Sequence, residues 1–102
     1  GSEMCIRDRV YIESCLHRVI FHIKNVSKTY SMYQKLDRIE EILCMYGFCR
    51  IHKSFLVNMR YVESIQRYSA RLTDEISIQK ELSVSQSKYN KVQEEYAKYY
   101  DI

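Results

Sequence analysis

Arg50, His52, Lys53 and Ser54 stand within five residues of one another, with no acid among them. Two permanent cations, an imidazole and a hydroxyl supply many hydrogen-bond donors and no fixed negative charge. Such a set suits a polyanion. An ammonium or guanidinium meets an anion through charge-assisted bonds. The cluster runs straight into an apolar triplet, Phe55, Leu56 and Val57, and then Asn58; a second apolar group follows at Tyr61, Val62 and Ile65. A polar loop mounted between two buried segments presents its side chains from a rigid base, and function concentrates in such loops.

Similar residue types recur at His17-Arg18, and at Ser87-Lys88 with Asn90-Lys91. Other chemistries find little support. There is no Ser/His/Asp order, no paired carboxylates and no glycine-rich phosphate loop, and the chain has only two glycines, so an enzyme is not expected. His17, His22 and His52 lie far apart, and Cys5, Cys15, Cys44 and Cys49 show no C-x-x-C spacing, so neither a metal nor a cofactor is expected. The simplest expectation for the cysteines is reduced, mostly buried thiols in a cytoplasmic protein, although Cys49 beside the basic loop could serve redox sensing.

The elements that must position these residues follow from hydrophobic period. Val10 and Ile12 alternate with Tyr11 and Glu13, and after a short turn Val19, Phe21 and Ile23 share one face, so both segments are predicted strands. Asn25 to Tyr30 holds a turn and room for a short third strand. Ser31-Met32-Tyr33-Gln34 has the form of a capping box, and Leu36, Ile39, Ile42, Leu43 and Tyr46 then recur on one face. This pattern predicts a helix over about 32–46, ended by a left-handed Gly47, that covers a sheet. Strands are expected at Phe48 to Ile51 and Val62 to Gln66, and a hairpin at 71–79 turning at Asp74-Glu75. A short extended piece is expected from Glu81 to Val84. A C-terminal helix begins at Ser85 or Ser87, with Tyr89, Val92, Tyr96 and Tyr99 as its apolar stripe. That stripe suits core or a dimer contact better than a platform for stacked bases. The predicted fold is one β-rich domain, mainly antiparallel, with one packing helix and a C-terminal helix.

The gross numbers permit this without choosing it. A chain of 102 residues makes one small domain, and 16 Lys+Arg against 13 Asp+Glu leave a formal charge of +3. That excess tolerates a polyanion but does not by itself imply one. No apolar run approaches the ~18–20 residues that span a bilayer. Residues 1–8 read as a tag or adapter remnant, with Gly1-Ser2 as a cleavage scar, which leaves 9–102 as the domain.

Residues 50–65, RIHKSFLVNMRYVESI, resemble the signature of the LytTR family, the DNA-binding output domain of many bacterial response regulators in two-component systems. In that family an Arg-Ile-His-Arg/Lys-Ser segment leads into Leu-Val-Asn and a strand. The resemblance implies a LytTR-like β scaffold whose loops enter successive major grooves of double-stranded DNA. By the same resemblance, one or two strands usually precede the segment matched by Val10 to Ser14, so the chain looks N-terminally truncated. The family's first contact falls at His17, with Arg18 beside it, and the second at Lys53, with Arg50, His52 and Ser54 as neighbours. The third follows the Val-Ser that ends the last strand, where the family has Arg or Lys within two residues. Here Val84-Ser85 is followed by Gln86 and Ser87, and Lys88 is the first cation. Gln86 would then read adenine, or Lys88 would only grip phosphate; Lys88 and Lys91 fit equally well as surface charges. Asn58 is expected to be a structural turn residue. The implied function is sequence-specific DNA binding in transcription regulation, as a homodimer on tandem or imperfect repeats. The alternative is a protein-interaction or dimerisation module using the Tyr-rich C-terminal helix or an open sheet edge.

Overall fold

The computed structural model describes residues 9–23, 29–73 and 81–101. Strand β1 (Arg9–Cys15) pairs antiparallel with β2 (Arg18–Ile23) and, on its other side, with β5 (Phe55–Asn58). The outer strands are β3 (Tyr30–Tyr33) against β2 and β4 (Phe48–His52) against β5, giving the order β3-β2-β1-β5-β4. A second antiparallel sheet has the order β6-β7-β8, from β6 (Val62–Gln66), β7 (Ser69–Leu72) and β8 (Glu81–Ser83). Helix α1 (Leu36–Leu43) and helix α2 (Tyr89–Tyr100) complete the architecture. None of the described helices is long and apolar enough to cross a membrane.

The five-stranded sheet is covered on both faces around β1 and β5, and its edge strand β3 is exposed. Ile12, Val19 and Leu56 pack against Leu36, Ile39 and Leu43 of α1, with Phe48 closing that core. Tyr11, Ile51 and Val57 face the other way, toward Val62, Ala70, Leu72 and Leu82 of the small sheet and Val92 of α2. Alternation alone would put Val10 with Ile12, but the structure separates them. A register shift between Arg9 and Tyr11 breaks the period, and Val10 joins Tyr11 in the core between the sheets. A bulge of this kind re-aims side chains without ending the strand.

The first helix starts later than its local signals suggest. Tyr30–Tyr33 is an edge strand, with Ser31 opposite Ile20 and Tyr33 opposite Arg18, so Ser31 caps nothing. The helix begins at Leu36 after an extended Lys35, with no side-chain cap. Its end is as expected: one 3-10 turn, Cys44–Tyr46, leads into Gly47 at φ 85°. A Cβ on Gly47 would lie 2.9 Å from the Tyr99 ring, so glycine meets both a backbone and a packing demand there. Leu36, Ile39 and Leu43 are buried, whereas Ile42 and Tyr46 of the predicted face are exposed. Two turns of helix can lay only a narrow stripe on a sheet.

The small sheet also departs from expectation. Its first hairpin turns at Arg67-Tyr68, with β7 already running by Ser69 and paired to β6. The expected turn at Asp74-Glu75 and strand to Gln79 lie outside the described residues. Ser85 occupies the N-cap position of a 3-10 turn, Gln86–Lys88, that leads into α2. Its hydroxyl bonds that of Ser87 at 2.9 Å rather than a backbone amide. Two tyrosines of α2 are tied to the domain through their hydroxyls. The Tyr96 hydroxyl donates to the Glu63 carbonyl at 2.7 Å, and that of Tyr100 lies 2.8 Å from the Met59 carbonyl and 3.0 Å from that of Val62.

Cys49 is buried, and burial with the nearby Glu95 carboxylate pushes its thiol up to about 11, whereas Cys15 and Cys44 are exposed. At pH 8 roughly one Cys49 in a thousand would be thiolate, the reactive form. Cys15 and Cys44 should therefore react rapidly with a thiol reagent, and Cys49 only once the domain is unfolded. Mass spectrometry after a timed alkylation checks this; fast labelling of Cys49 in the folded domain would refute it.

Candidate nucleic-acid interface

The basic cluster closes the β4–β5 hairpin. Lys53 and Ser54 form its turn, and a register shift between Arg50 and His52 sets the base of that turn askew. Lys53 is exposed, and its side chain makes no hydrogen bond or ion pair among the described residues. Ser54 is half-buried; its carbonyl accepts from the Ser14 amide at 2.8 Å, tying this turn to the end of β1. His52 is also half-buried. Its Nδ1 accepts from the Ser54 amide at 3.1 Å, and its ring leans on Phe55.

Arg50 differs from its neighbours. Its Nη1 donates to Asp37 at 2.7 Å and to Glu40 at 2.8 Å, its Nε donates to the His52 carbonyl at 2.8 Å, and its Nη2 donates to the Lys53 carbonyl. The sequence shows no acid beside Arg50, but two approach it in space because one turn of α1 brings Asp37 and Glu40 to one side. Exposed Asp37 and half-buried Glu40 are thus partly neutralised. Arg50 holds the Asp37 carboxyl below the usual carboxylate range by hydrogen bond and charge, with smaller help from Lys35 and Lys88.

The other sequence-selected residues gather at the same end of the large sheet. His17 and Leu16 make the tight turn between β1 and β2, Leu16 at φ 58° and both exposed. His17, Lys35, Asp37 and Arg50 line one open cleft. Arg18 is exposed but engaged: its Nη2 donates to the Tyr33 hydroxyl at 2.7 Å and its guanidinium lies over that ring. Gln86 and Ser87 are exposed on the turn before α2, and Lys88 is half-buried. That turn is fastened to the basic hairpin by the Ser85 amide, which donates to the Ile51 carbonyl at 2.8 Å. Lys35, in the connection between β3 and α1, is a cation at this end that the sequence pattern did not single out. Its link to the others passes through tertiary structure alone.

Asn58 is fixed inside the scaffold. Its amide nitrogen donates to the Arg9 carbonyl at 3.0 Å, and its Oδ1 accepts from the Arg60 amide at 3.1 Å. It is a structural turn residue, as the sequence suggests.

The family model for the LytTr DNA-binding domain matches residues 3–97. The chain belongs to that family. Among solved structures, the LytTr DNA-binding domain of a protein described as a methyl-accepting/DNA response regulator, from Bacillus cereus, superposes with a TM-score of 0.70. That match has 21% identity and covers 87% of this chain and 81% of the other. At this identity the likeness speaks for the fold, and it agrees with the strand-rich LytTr architecture described above. No curated protein matches the chain. Within the LytTr fold of this chain, His17, Lys53 and the Gln86–Lys88 turn stand on three separate connections at one end of the large sheet.

Proposed function

We propose that this LytTr domain binds double-stranded DNA sequence-specifically in bacterial transcription regulation, with its loops entering successive major grooves. The observation that carries the proposal is the convergence of three donor-bearing connections on one end of a rigid sheet, tied together by the Ser14–Ser54 and Ser85–Ile51 backbone bonds. Lys53 and His17, exposed on tight turns, are the base-reading candidates. His52 and Ser54 hold the shape of the hairpin beneath Lys53. Gln86 and Ser87 are placed to reach a further base edge, and Lys88 a phosphate. Arg18 acts through Tyr33 or on the phosphate beside His17. Two copies would read tandem or imperfect repeats about one helical turn, ~10 base pairs, apart. The response-regulator setting of the Bacillus cereus relative supports a role as the output module of a longer cytoplasmic regulator.

A selection from random duplex DNA at two salt concentrations, with Lys53→Ala in parallel, tests this. A short repeated motif recovered by the parent and lost by the variant is the expected result. Salt-sensitive retention of all sequences alike would reject sequence reading. A second interpretation, pairing with another copy through a sheet edge, draws on the exposed Tyr30, Met32 and Tyr33 of edge strand β3. It predicts self-association indifferent to Lys53. The tyrosines of α2 favour it less, because Tyr96 and Tyr100 are spent on the domain's own backbone.

A further inference from the structure

We propose that Arg50, Asp37 and Glu40 form a strut that sets the shape of the Lys53-Ser54 turn, so that two acids at the DNA-facing end favour sequence-specific binding. The proposal rests on the DNA-binding role above and assigns Arg50 a positioning part in it. A plain count of charge gives the opposite expectation. Acids near a phosphate backbone repel it, and removing them should tighten binding to any sequence.

The geometry argues otherwise. The Arg50 side chain is only 12% exposed, against 81% for Asp37 and 36% for Glu40, so the guanidinium is the enclosed member of the trio. Its donors point two ways at once. One nitrogen meets both carboxylates, while the other two reach the carbonyls of His52, which leads into the turn, and of Lys53, its first residue. Both of those carbonyls lie where regular strand pairing gives way to the turn, at a register shift that leaves its conformation under-determined by the ladder. A rigid planar fork can fix two carbonyls relative to a helix; a lysine ammonium on a flexible stem cannot hold the same four partners. The acids anchor that fork to α1, which is itself packed on the sheet through Leu36, Ile39 and Leu43. A second tie from the opposite side, the Ser14 amide on the Ser54 carbonyl, completes the hold on the turn. Lys53 then leaves a backbone fixed from both sides. Reading a base edge demands such placement, because side-chain contacts specify only when the supporting shell holds them within a fraction of an ångström.

The test compares Asp37→Asn/Glu40→Gln and Arg50→Lys with the parent domain, each measured well below its own melting temperature. In free protein, 15N relaxation at the Lys53 and Ser54 amides should show the turn loosened in both variants. On DNA, the ratio of specific to non-specific affinity should fall about tenfold, the scale of one base contact. Non-specific binding by the double variant should hold or tighten, since it has lost two negative charges. If the turn stays as ordered as in the parent, the strut is refuted, whatever happens on DNA. If the double variant tightens specific and non-specific binding alike, Arg50 is a phosphate contact restrained by its acids, and the proposal also falls. A parent domain that recovers no motif from the random pool would instead overturn the DNA-reading role, while the relaxation measurement would still decide the strut.

Discussion

Replacing Asn58 by aspartate is expected to lower the stability of this domain by about 3–5 kcal/mol, the scale of leaving a buried charge without a partner. Asn58 is buried at the end of β5 and uses both ends of its amide. The Oδ1 end can survive the change, because a carboxylate still accepts from the Arg60 amide. The Nδ2 end cannot. Where an N–H donated to the Arg9 carbonyl, a second oxygen would face a carbonyl oxygen. Alanine removes both bonds but brings no charge, and its expected cost is smaller, about 2 kcal/mol for the groups left unpaired. Against a usual total of ~5–15 kcal/mol, the aspartate variant would be marginal or unfolded near neutral pH. The penalty carries its own pH signature. Burial without a counter-charge would raise the folded-state pKa of the new carboxyl above its unfolded value, so the loss of stability grows as pH rises between the two. Below the unfolded value both states are protonated and the penalty vanishes. Melting curves of parent, Asn58→Ala and Asn58→Asp from pH 4 to pH 8 measure all of this. An aspartate variant as stable as the alanine one at every pH would show that Asn58 is not held by these two bonds.

Asn58 also marks what a one-dimensional pattern can carry. Its role was legible because a polar residue directly after an apolar strand must turn the chain or find partners, and here it does both. Gly47 was legible for a similar local reason. Strands β1 and β2 came from alternation, β4 and β6 from the apolar runs on either side of the basic loop, and the grouping of cations on connections from their positions along the chain. The losses share one cause, which is that pairing between distant segments decides them. Ser31 to Gln34 satisfies a helix-start motif, yet the strand β2 beside it converts the same residues into an edge strand. The bulge near Val10 is invisible in a periodicity that counts residues and not hydrogen bonds. Arg50 looked like a free cation because its acids lie 10 and 13 positions away, on an element that only tertiary packing brings alongside. Tyr100 likewise falls outside the apolar stripe, but the Val62 carbonyl at the start of β6 and that of Met59 before it give it partners.

The comparison with the greatest power over the DNA-binding reading sets Lys53→Ala against Lys88→Ala. Both remove one positive charge, so a purely electrostatic domain would respond to both in the same way. Their settings differ. Lys53 projects, unpartnered among the described residues, from a two-residue turn whose backbone is bonded to β1. Lys88 is half-buried at the start of α2, close enough to Asp37 for its charge to be felt there. A cation on a fixed turn can meet O6 and N7 of guanine, and losing such a contact costs about 1–3 kcal/mol of discrimination at that base. Lys53→Ala should therefore flatten the preference at one position of the recovered motif, while melting at the parent's temperature. Lys88→Ala should keep the motif, weaken every sequence by a similar factor, and lower the slope of log K against log salt by about 1. Titrations of a cognate and a scrambled duplex at several salt concentrations separate the two effects. A Lys53 variant with full discrimination would move base reading to His17 or Gln86. Equal responses from both lysines would mean that this end of the sheet grips the backbone of DNA and does not read its sequence.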